Sequence, residues 1–328
     1  MKISRRTLAL AAAATATVMA APSIALAQAG YPARPVRIVV PYPPGGSVDP
    51  VARMIGEKLT GLWGQQVVID NKPGASTIIG TDAVAKAAPD GYTFLLTAST
   101  HVSNPLLFNN LPYDSVKDFV PVAPLYKAEF VLVANPSVKG ATLQEFIADA
   151  KARPGQYSYA SAGAGNANHM AAELFSMMTG TKLLHVPYKG GGPLLTDLMS
   201  GQVQLYFAVP ITVIPHLQSG KLKAFATTAE TRLPLMPNVP TFKEAGLPGF
   251  GMRSWLGVFA PANTPKDIVH KVSADLAKVL AMPDVREKLQ SQGQIPFIAT
   301  PEQFAVINKD DTAEFARVIK AANIKLDQ

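Results

Sequence analysis

Cysteine is absent from all 328 residues. That absence excludes disulfides, thiolate metal sites, a cysteine nucleophile and a lipid-anchored mature N-terminus. Without covalent staples, a chain of this size rests on its hydrophobic core. Histidine is scarce, five in all, and His101, His185, His216 and His270 show no paired ligand spacing of the kind a zinc site uses. No stretch is apolar enough for a transmembrane helix, which needs roughly 20 predominantly apolar residues. Basic residues are scattered rather than clustered, so no nucleic-acid partner is expected.

The N-terminus carries an address. Lys2, Arg5 and Arg6 precede an Ala-rich apolar run from Leu8 to Ala21, followed by Ala25-Leu26-Ala27. A charged start, a short apolar stretch and an A-x-A-like site describe an export signal over residues 1–27, cleaved near Ala27, and place the mature chain in the periplasm. Ser4-Arg5-Arg6-Thr7-Leu8 fits a twin-arginine signal, and an ordinary Sec signal fits equally. Removing the three basic residues leaves 27 Lys and Arg against 23 Asp and Glu, a mild excess that suits an anionic ligand.

The remaining chain alternates short β-branched runs with helical patterns. Strands are expected at Val36–Val40, Gln66–Asp70 and Tyr92–Thr97, with helices at Asp49–Leu62 and Ser76–Ala87 between them. A second series begins at Phe130–Ala134 and runs to Leu222–Thr227. A Pro-rich connection follows, then a strand at Trp255–Ala260 and three helices ending near Ala322. This alternation argues for an α/β fold of parallel βαβ units in two lobes. Such sheets place ligand crevices at the carboxyl ends of their strands. The expected organisation is lobe 1 over residues 28–125, lobe 2 over 126–228, and a closing segment over 229–328.

Three loops stand at those carboxyl ends. In the first, Tyr42 offers an aromatic wall, while Gly45 and Gly46 let the backbone approach a ligand closely. Ser47 or Asp49 suits the cap of the coming helix, and Pro50 its first turn. A helix N-terminus then aims free N–H groups at the crevice, a carboxylate-binding device that needs no arginine. The second loop, Ser161 to His169, repeats the arrangement: Gly163 bares the backbone, while Ser161, Asn166 and His169 add polar groups. In the third, Tyr188 serves as lid or stacking surface and Lys189 as a charge partner. Ser99, Thr100 and His101 follow the third strand and are expected to reach the crevice as polar contacts.

Chemistry beyond binding finds little support. No Gly-Lys-Ser/Thr follows Gly45-Gly46, so there is no P-loop. Gly163-x-Gly165 continues to Asn168 where a dinucleotide fingerprint wants glycine. Tyr159 to Gly163 lacks the first glycine of a nucleophile elbow. His169 and Glu173 lie four apart and suit a metal only in part; a structural histidine is the simpler reading. Trp255 and Phe259 read as core or interlobe packing. No cofactor, no metal and no catalytic residue are expected; the enzymatic alternative is a periplasmic hydrolase using Ser99 and His101.

Taken in order, the motifs Tyr31-Pro32-x-Arg34-Pro35, Pro44-Gly45-Gly46-x-x-Asp49, Asn71-Lys72-Pro73-Gly74-Ala75, Ala88-Pro89-Asp90-Gly91-Tyr92, His185-Val186-Pro187-Tyr188-Lys189-Gly190 and Val239-Pro240-Thr241-Phe242-x-Glu244-Ala245-Gly246 resemble the Bug family of periplasmic solute receptors. These are the binding components of tripartite tricarboxylate transporters. The resemblance implies a two-lobed Venus-flytrap fold, type II-like, with the ligand cleft between lobes and a C-terminal segment that returns to lobe 1. It implies a small organic carboxylate (a di- or tricarboxylate or an aromatic acid) held by backbone amides, hydroxyls and waters. It also implies a monomer that docks on a two-component integral membrane permease; a sensor kinase is the alternative partner. Two departures bear on the ligand. Tyr42 stands where phenylalanine is frequent, and Ala208, counted among the site residues, stands where an acid often follows the aromatic. Loss of that acid relaxes any preference for an amino group.

Overall fold

The computed structural model describes residues 30–45, 48–163, 165–188, 191–252, 254–321 and 324. The export signal expected over 1–27 lies outside them, as do Gly46, Ser47 and Lys189. From Arg34 onward the chain builds two β-sheets, each flanked by helices.

The first sheet starts with β1 (Val36–Val40), whose apolar run suits a strand covered on both faces. It pairs in parallel with β2 (Val67–Asn71) and β3 (Thr93–Ala98). Helix α1 (Asp49–Trp63) joins β1 to β2 and buries Val51, Ala52, Ile55 and Leu59. Gly64 ends it in the left-handed conformation, φ 63°, donating its N–H to Thr60 O. Next come α2 (Ile78–Ala85) and α3 (Thr100–Leu107). Strand β4 (Phe119–Ala128) closes this first part.

The second sheet contains β5 (Val131–Ala134), β6 (Ser158–Ser161), β7 (Leu184–Pro187), β8 (Leu205–Ala208) and β9 (Lys223–Thr227). Between them run α4 (Leu143–Ala152), α5 (Ala167–Thr179), α6 (Gly191–Ser200) and α7 (Pro210–Gln218). The chain then leaves through an irregular stretch into β10 (Ser254–Pro261), α8 (Lys266–Ala281), α9 (Pro283–Ser291), β11 (Gln294–Pro296) and α10 (Pro301–Ala321). Strands β10 and β11 join the first sheet, whose order is β11-β4-β10-β3-β1-β2. The second sheet has the order β7-β6-β8-β5-β9.

Both sheets are mixed, which corrects the expectation of parallel units throughout. Strand β10 is antiparallel to β3 and β4, and β5 is antiparallel to β8 and β9. The reason is connectivity. A strand that enters a sheet from the other one starts at the junction, where its neighbours end, and must run against them. Four elements also escape a reading of apolar runs: β4, α3, α7 and β11. Strand β4 carries Pro121 and Pro124, residues that weaken a strand pattern. The ladder to β10 accommodates them through register shifts at Leu256/Gly257 and Val258/Phe259.

The two segments that cross between the sheets are tied to each other. Phe130 N and Thr228 Oγ1 are 2.9 Å apart, Thr228 N donates to Phe130 O at 2.9 Å, and Thr228 Oγ1 donates to Glu129 Oε2 at 2.6 Å. Phe146, Phe175, Phe207, Phe225, Phe242 and Phe250 build an aromatic core under the second sheet. Trp255 and Phe259 pack with Phe304 in the first lobe, and Trp255 Nε1 donates to Asp311 at 2.6 Å. Among the described residues no helix is long and apolar enough to cross a membrane.

Candidate ligand-binding site

The loop after β1 is held by side chains from three elements. Tyr42 is half-buried, and its hydroxyl lies 3.0 Å from Thr100 Oγ1 and accepts the Ala98 N–H at 3.1 Å. Asn71, at the end of β2, donates to Tyr42 O at 3.2 Å and accepts from Arg53 at 3.1 Å. The entry into α1 differs from the expected cap. The N-cap position is Val48, with no side-chain hydrogen bond. Asp49 lies one residue inside the helix, and its carboxylate accepts Gly45 N at 3.0 Å and Arg53 Nε at 3.0 Å. Those bonds, the Arg53 contact foremost, hold the Asp49 carboxyl below the usual carboxylate range. The amide of Gly45, expected to face the ligand, is therefore occupied by the chain's own carboxylate. Arg53 and Asn71 are the supports that the sequence reading missed; the helical i, i+4 spacing of Asp49 and Arg53 was the available signal.

After β3 the side chains divide. Thr100 remains half-buried beside Tyr42. Ser99 is buried and sits 3.1 Å from Ser254 Oγ. His101 turns into the core, 2% exposed, with its ring 4.9 Å from Phe119 and 4.3 Å from Phe259. Its Nε2 meets Ser115 O at 3.1 Å, and burial pushes its pKa down to about 4. The helix that begins at Thr100 puts His101 on its inward face. Two of the three expected crevice contacts are thus packing residues, and the Ser99–His101 pairing required by the hydrolase alternative is not formed.

In the second lobe, the loop from β6 to α5 is built from small residues and tied at several points. Gly163 has φ +150° and Gly165 φ +82°, both strained for any other residue. Asn166 caps α5, its Oδ1 accepting His169 N at 3.3 Å. Ser161 is fully buried, its Oγ 2.6 Å from His185 Nε2 and 3.1 Å from Gly163 O. His169 is also buried, and its Nδ1 accepts the Gly165 N–H at 3.0 Å. Asn168 reaches Tyr206 Oη at 3.2 Å. Ser161 and His169 therefore bind the loop rather than project from it. The first turn of α5 carries no acidic residue, so the amides of Ala167 and Asn168 head the helix without an internal counter-charge.

Tyr188 is not a free lid. Its hydroxyl donates to Asp197 at 2.8 Å, its N–H to Ser161 O at 2.8 Å, and burial with the nearby Asp197 pushes its pKa up to about 12. Ala208 is fully buried in β8, opposite Val131, so its side chain faces lobe-2 core. His169 Nε2 and Glu173 Oε1 are 3.9 Å apart. Among the described residues no group of three His, Asp or Glu converges on a metal position.

The family described as tripartite tricarboxylate transporter family receptor matches residues 51–324. Protein BugT of Bordetella pertussis is 39% identical over 301 residues, covering 90% of this chain and 91% of that one. A Rhodopseudomonas palustris protein with adipate superposes with TM-score 0.80 at 34% identity, covering 90% of this chain and 99% of that chain. MatC from the same organism, with bound malate, gives TM-score 0.76 at 34% identity, over 88% of this chain and 100% of that one. Extent, identity and two-sheet architecture agree, and the chain belongs to the tripartite tricarboxylate transporter receptor family, the family of the Bug proteins.

Proposed function

We propose that this chain is an exported receptor that captures a small organic carboxylate in the cleft between its lobes and delivers it to a two-component integral membrane permease. Carboxylate capture is supported by the family and by two relatives, each 34% identical, described with adipate and with malate. The observation that carries the site is the start of α5. It stands at the carboxyl end of β6 with small residues before it and no acidic side chain in its first turn, an arrangement that favours an anion. By contrast, Asp49 already fills the equivalent place at α1. We therefore seat the ligand carboxylate on the second lobe, at Gly163, Asn166 and the first amides of α5. Tyr42 and Thr100 face it from the first lobe.

The lobes on this reading are residues 28–125 and 126–228, with 229–328 completing the first. The mature chain is a periplasmic monomer released from a signal over residues 1–27. Ligand binding closes the cleft because only the closed state engages both lobes. On this reading the chain acts by binding alone; Ser99 and His101, the candidates of the enzymatic alternative, meet Ser254 and Ser115 rather than each other.

Thermal unfolding of the mature protein against a panel of organic acids tests this reading. A ligand at 100 times its dissociation constant adds about 2.7 kcal/mol to the folded state. The expected result is a raised midpoint with one carboxylate and none with its amide. No shift across dicarboxylates, tricarboxylates and aromatic acids would refute the carboxylate assignment.

A further inference from the structure

Beneath the lobe-2 loop three nearly parallel rings cluster. His185 of β7 lies 5.0 Å from Tyr159 of β6 at 18° and 3.9 Å from His169 of α5 at 9°, while Tyr159 and His169 are 6.1 Å apart. The two imidazoles hold different parts of one loop. His185 Nε2 meets Ser161 Oγ at 2.6 Å where the loop begins, and His169 Nδ1 accepts Gly165 N–H at 3.0 Å in its middle. Because Nδ1 accepts, the His169 proton is on Nε2, facing Glu173 Oε1 at 3.9 Å. Glu173 in turn accepts the Tyr159 hydroxyl. Ser161 donating to Gly163 O at 3.1 Å leaves its oxygen to accept an Nε2–H from His185.

The electrostatics fit this arrangement. Burial, with His185 alongside, lowers the His169 pKa to about 3, and burial lowers that of His185 to about 4. Burial also raises the Glu173 pKa, against the Tyr159 hydrogen bond. Rings 3.9 Å apart cannot both carry charge at low cost. The loop itself is Ala- and Gly-rich and has few side chains with which to hold its own shape, so an external polar anchor is needed.

We propose that His185 and His169 are positioning residues for ligand capture, which fix the shape of the loop facing the carboxylate without touching the ligand. The inference rests on seating the carboxylate on the second lobe. It extends that reading by assigning a role to His185, a residue outside the loop.

The test compares the mature protein with His185→Gln, which keeps a hydrogen-bonding group near the Nε2 position, and His185→Leu, which removes it. Ser161→Ala breaks the same bond from the other side and serves if His185→Leu fails to fold. Amide exchange over residues 162–168, measured without ligand, is expected to rise at least about tenfold in His185→Leu and Ser161→Ala, with peptides of β1 and β3 unchanged. His185→Gln is expected to restore most of the protection. Wild-type loop exchange, corrected for its intrinsic pH dependence, is expected to stay flat from about pH 8 to about pH 5 and to rise as the imidazoles protonate below that. Affinity for succinate, malate, adipate, citrate or benzoate, whichever the wild type takes, is expected to fall at least about tenfold in the variants with a loosened loop. Unchanged loop exchange overturns the proposal, and so does loosened exchange with undiminished affinity. Failure of the wild type to bind any of the five probes overturns the role in capture together with the carboxylate reading. The exchange arm then still reports whether the imidazoles hold the loop, so the two failures are told apart.

Discussion

His101, His169 and His185 are alike in one respect: each is neutral because its surroundings exclude the charged form. A histidine whose folded pKa lies below its unfolded value binds fewer protons when folded. Stability is then full above about pH 6.5 and declines as pH falls toward the folded pKa. For His101, 2% exposed with a pKa of about 4, the loss between about pH 8 and pH 5 is on the order of 2 kcal/mol. Urea unfolding at those two pH values should show it, and His101→Leu should reduce the dependence by that amount, leaving the share of His169 and His185. Stability that rises on acidification would contradict the burial argument. The residue scale also shows what sequence could supply about the site. Residue types and loops were legible for Tyr42, Thr100, Gly163 and Asn166. Which way Ser99, His101, Ser161 and Tyr188 point was not, because a side chain's direction depends on neighbours brought in from distant parts of the chain. His185 lies 24 residues from Ser161, and no local pattern links them.

Among the elements, α4 and α5 provide a matched pair of capping experiments. Thr142 caps α4 in a full capping box with Glu145, and Asn166 caps α5. Thr142→Ala and Asn166→Ala should each cost about 1 kcal/mol in chemical denaturation. Only Asn166→Ala should also weaken ligand binding in calorimetry; equal affinities for the two variants would remove Asn166 from the site. Strand β10 offers a packing test. A Cβ added at Gly257 would meet Phe304 Cε1 at 2.8 Å and Ala123 O at 3.3 Å. Gly257→Ala should therefore destabilise by about 1–3 kcal/mol, through displacement of α10 from the sheet. Most helices and strands were visible from periodicity, since their burial follows the 3.6 and 2 residue repeats. Strand β4 was hidden by its prolines, and β11 by its length of three residues; both exist because β10 supplies a ladder for β4, and β4 one for β11.

For the molecule as a whole, the crossing segments are where the chain passes from one sheet to the other. Thr228 contributes one hydroxyl to two contacts there, with Glu129 and with the Phe130 amide. Thr228→Val keeps the shape and strands a buried carboxylate, which should cost about 1–3 kcal/mol of stability. Small-angle scattering of the wild type with saturating ligand should show a smaller radius of gyration than without it. An unchanged radius would argue against cleft closure. The alternation of strands and helices, the two series and the family were all determined by the sequence itself, because each rests on local residue order. Strand direction at the crossings, the burial of Ser99, His101 and Ser161, the Asp49 carboxylate over Gly45 and the imidazole stack were decided only by tertiary structure. Each of these depends on a contact between distant segments, and such contacts are set by where the sheets bring the chain together.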